Sequence, residues 1–371
     1  MGAKKQAVSS VNDLHPVVDT DLHLTEQQDD ILPYLEEPFN KILDVNNQGK
    51  RGQVEGGYLS QLYPSAGHLT PTDTGRAETD DVRSPEDVER AMELLTLDDA
   101  ILTPGLNLRL GLVHHDELAA GFMTAYNNWL LDTILDEGYH GAMVVTPQKP
   151  EKSAEEIDRL VDESRIKAVM IPGGGVHPPL GREQYFPIYD AAENAGLPVM
   201  IHNAATGIVG NYPIQWRGTK RYIEVHVPYH SAEQMWHIST MLTNGIPVRF
   251  PDLDFVIQES GIGWIPYFMR RYDNEYSKKQ NDAPLLEKRP SDYIRDQFFF
   301  TSQPTEGIDD PEYLCHTIRM FDGAENLMFS TDYPHYDFDY TDTLLSSLRT
   351  EFDDDEIQNI YGRTASNVFD L

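Results

Sequence analysis

Eight short apolar runs, each followed by a helical pattern, constrain this 371-residue chain more than any other feature. The runs are "VVDTD", "AILTPGLNL", "GAMVVTP", "IKAVMIPGGG", "PVMIHN", "DFVIQESG", "DQFFFTSQ" and "NLMFSTDYPH". Continuous apolar strands alternating with helices are the mark of βα units around a parallel sheet. Eight units predict an α/β fold, a (β/α)8 TIM barrel with extra helices. An open doubly wound sheet is the alternative, but no glycine fingerprint or P-loop follows the first run. "SPEDVERAMELL" opens a helix with Ser84 as cap and Pro85 in the first turn, and Ser153 with Glu156 reads as a second capping box. Residues 27–81, rich in Gly, Gln, Asn and Pro, read as a long insertion after strand one, a candidate lid. Residues 1–14 read as an N-terminal extension of one barrel domain spanning 1–371.

Charge narrows the partners. The net charge is −32, from 61 acidic against 29 basic side chains. Such a balance argues against phosphate-backbone binding and against an anionic membrane surface, so no nucleic acid and no membrane is expected. Acidic runs such as "FDDDE" and "IDDPE" are spread along the chain, which points to a solvent rich in salt, where counterions screen self-repulsion. One cysteine, Cys315, excludes an internal disulfide framework. "MGAKKQAVSSVND" has no apolar centre of the kind a signal peptide carries, and no run is long enough to span a bilayer. A soluble cytoplasmic protein, possible as a pair of copies, is the expectation.

Polar groups sit where these strands end. The first run ends in Asp21 and His23, the fifth in His202, the sixth in Glu259 and the eighth in Asp332. In a barrel the C-terminal strand ends gather on one face, where active sites lie. Residues i and i+2 of a strand share a side, so Asp21 and His23 can reach one ion together. Asp19 shares that parity but lies deeper, as a brace. A lone strand-end His is more often a hydrogen-bonded core residue, and a lone Asp before a helix is usually a cap. Five such residues at four strand ends point instead to one divalent ion, with Zn expected first and Mn second.

The chain resembles the amidohydrolase-related family, in the branch that includes aminocarboxymuconate-semialdehyde decarboxylase. The resemblance rests on "VVDTDLHLTE", "YFPIYDAAENAGLPVMIH", "VRFPDLDFVIQESGIGWIPYFMRRYD", "NLMFSTDYPH" and "DDDEIQNIYGRTASNVFDL", in that order. It implies that Asp21, His23, His202 and Asp332 hold the metal and that Asp332 also moves protons. It places His335 beside the ion or against substrate. Family decarboxylases carry a His at the end of strand six, whereas this chain has Glu259-Ser260-Gly261 there. Glu259 could bind the metal, receive a proton or bind a cationic group on substrate, and is read as a catalytic assistant. His177 and His226 are candidate substrate contacts and His230 shares that reading; Arg182, Arg217 and Arg221 could bind a substrate carboxylate, but on so acidic a protein all but one are read as satisfying surface acids. Trp264 and Tyr267 read as packing residues.

The first functional expectation is a hydrolase that attacks an amide, a lactone or another small organic acid derivative with metal-activated water. The second is a non-oxidative decarboxylase of an aromatic or enoic acid. The third is a barrel that only binds.

Overall fold

The computed structural model describes residues 8–41, 79–113, 115–135, 138–203 and 223–371. Eight parallel strands follow one another in sequence order around a barrel. They are β1 Val18–His23, β2 Asp99–Thr103, β3 His140–Val144, β4 Ile166–Pro172, β5 Val199–His202, β6 Phe255–Ile257, β7 Phe298–Thr301 and β8 Leu327–Met328. Each predicted run holds its strand. The principal helices that follow are α1 Pro85–Leu95, α2 Asp116–Trp129, α3 Pro150–Leu160, α4 Phe186–Ala195, α5 Ile223–Thr243, α6 Ile265–Tyr276, α7 Pro290–Gln297, α8 Pro311–Met320 and α9 Thr341–Leu348. The strands are buried because helices cover them outside and side chains fill them inside, so β1 is buried along its whole length.

The barrel closes through the two ends of the chain. Thr20 N–H donates to Phe329 O at 3.1 Å, Asp332 N–H to Asp21 O at 3.1 Å and His23 N–H to Tyr333 O at 2.8 Å. Asp19, fully buried, completes the seam: its Oδ1 accepts from Asp21 N–H at 2.9 Å and Thr331 N–H at 3.1 Å, and its Oδ2 accepts from the Thr331 hydroxyl. The bracing expected of Asp19 is what its side chain does.

Two local expectations change. Ser84 caps α1 by accepting from Asp87 N–H, as the sequence predicts. The box at Ser153 does not form, because α3 starts earlier, at Pro150, whose fixed φ suits a first turn. Ser153 instead donates to Thr146 O at 2.7 Å, and Glu156 binds Asn127 and Arg159. The described part of the 27–81 insertion carries short helical turns at Gln28–Ile31 and Leu32–Tyr34, and Ile31 and Leu35 are buried in the core. Its centre, 42–78, lies outside the described residues, and with it the lid reading. Within the expected extension, Val8, Val11 and Leu14 are buried against the barrel. No described helix is long and apolar enough to cross a membrane.

One buried carboxyl of α5 makes stability depend on pH. Glu233 is 1% exposed, and its Oε1 accepts from Gly175 N–H at 2.7 Å. Burial raises its carboxyl to about 7, against the opposing pull of the Tyr229 and Gly175 donors. A raised carboxyl means that the folded state holds the proton more tightly than the unfolded chain. That contribution is complete below the ordinary carboxyl range and is lost as pH rises through about 7. Urea unfolding of wild type should therefore weaken between pH 5 and 8 by on the order of 2 kcal/mol from this group, and Glu233→Gln should flatten that slope. An unchanged slope in the variant would assign the pH dependence elsewhere.

Candidate active site

The strand ends bring Asp21, His23, His202, Glu259 and Asp332 together at the mouth of the barrel. Asp21, His23, His202 and Asp332 are fully buried and Glu259 is 7% exposed. His23 Nε2 lies 3.3 Å from Asp21 Oδ1 and 3.1 Å from Asp332 Oδ1. His202 Nε2 lies 3.4 Å from Asp21 Oδ2 and 3.3 Å from Glu259 Oε2. The His23 and His202 rings meet edge to face with centroids 5.0 Å apart.

Each imidazole is held from behind. His23 Nδ1 lies 2.9 Å from Pro104 O, and His202 Nδ1 lies 3.0 Å from Asn203 O. A carbonyl can only accept, so each Nδ1 carries the proton and each Nε2 presents a lone pair. Asp21 Oδ1 accepts from Thr103 Oγ1 at 3.1 Å and from Gln258 Nε2 at 3.0 Å, which turns Oδ2 toward the centre. Asp21 Oδ2, His23 Nε2, His202 Nε2 and Asp332 Oδ2 are buried with no hydrogen-bond partner. Unpaired buried polar atoms are costly. Asp21, His23 and His202 bring ligand atoms within 4.8 Å of one another, and Asp332 joins them through His23; a nitrogen and oxygen set whose rear atoms are fixed by backbone and side-chain partners fits a divalent cation.

Backbone strain falls at the same place. Glu259 and Asp332 hold φ at +43° and +62°, a left-handed conformation that costs a non-glycine residue about 1–3 kcal/mol. The strain aims both carboxylates inward where each strand gives way to a loop.

His335 lies beside the cluster, its Nδ1 2.6 Å from Asp332 Oδ1. Burial works to lower its pKa, but the Asp332 carboxylate prevails and raises it to about 9. Burial likewise works to raise Asp332, and the His335 ring outweighs it, holding the carboxyl below its usual range. The two form a carboxylate–imidazolium pair whose His335 side chain is 41% exposed to solvent. Glu259 behaves oppositely: burial, then the charges of Asp332 and Asp21, push its carboxyl well up.

His226 and His230 stand across the mouth on the first turns of α5. Their centroids are 5.1 Å apart, and His226 Nε2 lies 3.7 Å from Asp337 Oδ2. His177 does not join the cluster. It is exposed and stacks on Trp236 of α5, with centroids 6.4 Å apart, because the loop after β4 turns outward along that helix. Trp264 packs in the core as expected, but Tyr267 is 64% exposed, since the following turn of α6 points it outward. Arg217 and Arg221 lie outside the described residues. Thr103, Gln258 and Asp337 were not singled out by the sequence. The strand-end rule that found His202 would have found the first two.

The amidohydrolase family model matches residues 18–371. Gamma-resorcylate decarboxylase of Polaromonas sp. is 23% identical over 243 residues, covering 63% of this chain and 71% of that protein. 2-Keto-4-carboxy-3-hexenedioate hydratase of Sphingobium sp. is 27% identical over 187 residues, covering 47% of this chain and 50% of that one. Among solved structures, 5-carboxyvanillate decarboxylase of Novosphingobium aromaticivorans, with bound manganese and 3-methoxy-4-hydroxy-5-nitrobenzoic acid, superposes with a TM-score of 0.67 at 18% identity, over 96% of this chain and 97% of that one. At that identity the likeness speaks for the fold. With a match over nearly its whole length, this chain belongs to the amidohydrolase family.

Proposed function

We propose that this protein is a metal-dependent carboxy-lyase that removes carbon dioxide, without oxidation, from an aromatic or enoic carboxylic acid. The observation that carries the reading is the convergence of four unpartnered buried atoms, Asp21 Oδ2, His23 Nε2, His202 Nε2 and Asp332 Oδ2, beside the Asp332–His335 proton pair. The curated relatives named above are a decarboxylase and a hydratase, which favours lyase chemistry over the hydrolysis of an amide or lactone expected first from the sequence.

Asp21, His23, His202 and Asp332 would hold the ion. When bound, a divalent metal supplies Lewis-acid polarisation and orientation of the substrate oxygens. The manganese in the solved relative moves the metal reading from zinc toward manganese, which suits a carboxylate-rich nitrogen and oxygen set. The proton comes from the Asp332–His335 pair. His335 holds it at rest and passes it through Asp332 to the carbon that bears the carboxylate, and the new C–H bond takes its electrons from the substrate π system. The bond to the carboxylate then breaks, its electrons restore the π system, and carbon dioxide leaves. Solvent returns a proton to His335 through its exposed edge. Glu259, opposite, shapes the pocket against His202.

The test is a substrate screen on manganese-loaded protein, with hydroxybenzoates and unsaturated diacids on one side and lactones, esters and amides on the other. Metal-dependent carbon dioxide release, abolished by a chelator, is expected. Cleavage of a lactone or amide with no carbon dioxide would overturn the reading in favour of hydrolysis.

A further inference from the structure

The mouth holds more carboxylates than one divalent ion balances. Asp21, Glu259, Asp332 and Asp337 face it, and every ion-pair contact they make among the described residues is to an imidazole. Glu259 is placed between two groups. Its Oε2 lies 3.3 Å from His202 Nε2, on the side of the first cluster, and its Oε1 lies 3.3 Å from His230 Nδ1, on the other. His230 is 4% exposed, its Nδ1 lies 2.8 Å from Glu259 O, and its Nε2 is buried without a hydrogen-bond partner. As at His23 and His202, the rear nitrogen is on a backbone carbonyl and the front nitrogen is a lone pair with nothing to accept; here the Glu259 carboxylate lies on the rear-nitrogen side. His226, His230 and Glu259 bring ligand atoms within 4.8 Å of one another, and Asp337 flanks His226.

We infer that His226, His230 and Glu259 form a second divalent-cation site, with Glu259 bridging it to the first and Asp337 beside it. A carboxylate with one oxygen toward each cluster is the geometry that pairs two ions about 3.5–4 Å apart. The chain thus replaces the family's strand-six His with a group able to join two sites. A second ion would suit a substrate with a further anionic group, such as a phenolate or a second carboxylate, set across the mouth from the one that is lost. This extends the proposed carboxy-lyase site and rests on the first ion being bound.

The test is a manganese titration of the full chain, read by ion content after gel filtration and by electron paramagnetic resonance. Two ions per wild-type chain with an exchange-coupled spectrum are expected. His226→Ala and, separately, His230→Gln should each bind one ion and give an uncoupled six-line spectrum, with thermal midpoints near that of wild type for the partly exposed His226. One ion per wild-type chain, lost in His23→Gln but kept in His226→Ala, would overturn the second site and leave the first standing. No ion in the wild type would overturn both. Two ions retained in both His226→Ala and His230→Gln would place the second ion elsewhere and overturn the assignment.

Discussion

His202→Ala should lose the bound ion and lower kcat/KM by at least about a thousandfold, and Asp332→Asn should lower the rate by a similar factor while keeping part of the ion. The two differ because of what each removes. Alanine at 202 deletes a lone pair already fixed by the Asn203 carbonyl behind it, and with it the only nitrogen ligand that the fifth strand offers among the described residues. Asparagine at 332 keeps an oxygen facing the centre but cannot pass a proton from His335, whose Nδ1 lies 2.6 Å away. Ion content by mass spectrometry, steady-state rates and thermal unfolding separate the cases. A His202→Ala protein that still binds its ion and turns over normally would remove the strand-end site altogether.

Asp19→Ala should destabilise the fold by about 3–5 kcal/mol, in the range seen when a buried polar network loses its central member. Three donors point at this one carboxyl: the N–H groups of Asp21 and Thr331 and the Thr331 hydroxyl. Truncation leaves them buried and unpaired. Asp19→Asn keeps one acceptor oxygen and should fall between wild type and Ala. Urea unfolding followed by far-UV circular dichroism measures both. Because Asp19 also sets the backbone that carries Asp21, the Ala variant should lose ion affinity even at temperatures where it stays folded.

The barrel was legible because eight apolar runs with helical spacers have few other ways to bury themselves. The candidates Asp21, His23, His202 and Asp332 were legible as candidates because each stands at or near the C-terminal end of a strand. What could not be read is what depends on side-chain reach. The sequence says nothing of Gln258 crossing the barrel to hold Asp21, nor of Asp337 turning back toward His226. His177 misled because a loop after a strand end can turn toward the mouth or away, and its direction is set by packing against α5. The early start of α3 at Pro150 was hidden by a capping box at Ser153 that was plausible but unused. A Glu in place of the strand-six His tilts the sequence toward hydrolysis, whereas the curated decarboxylase relative favours the second expectation. The backbone strain of Glu259 and its place between His202 and His230 show a residue with a position of its own.

The seam between β1 and the segment after β8 sets the order in which the protein can be made. Asp19 and Thr331, which meet across it, are 312 positions apart in the chain. Asp21 and His23 leave the ribosome long before Asp332, so until the eighth strand is made they have no partner from the far edge. A chain stopped before Thr331 lacks the hydrogen bonds that close this seam and lacks Asp332, one of the proposed ligands.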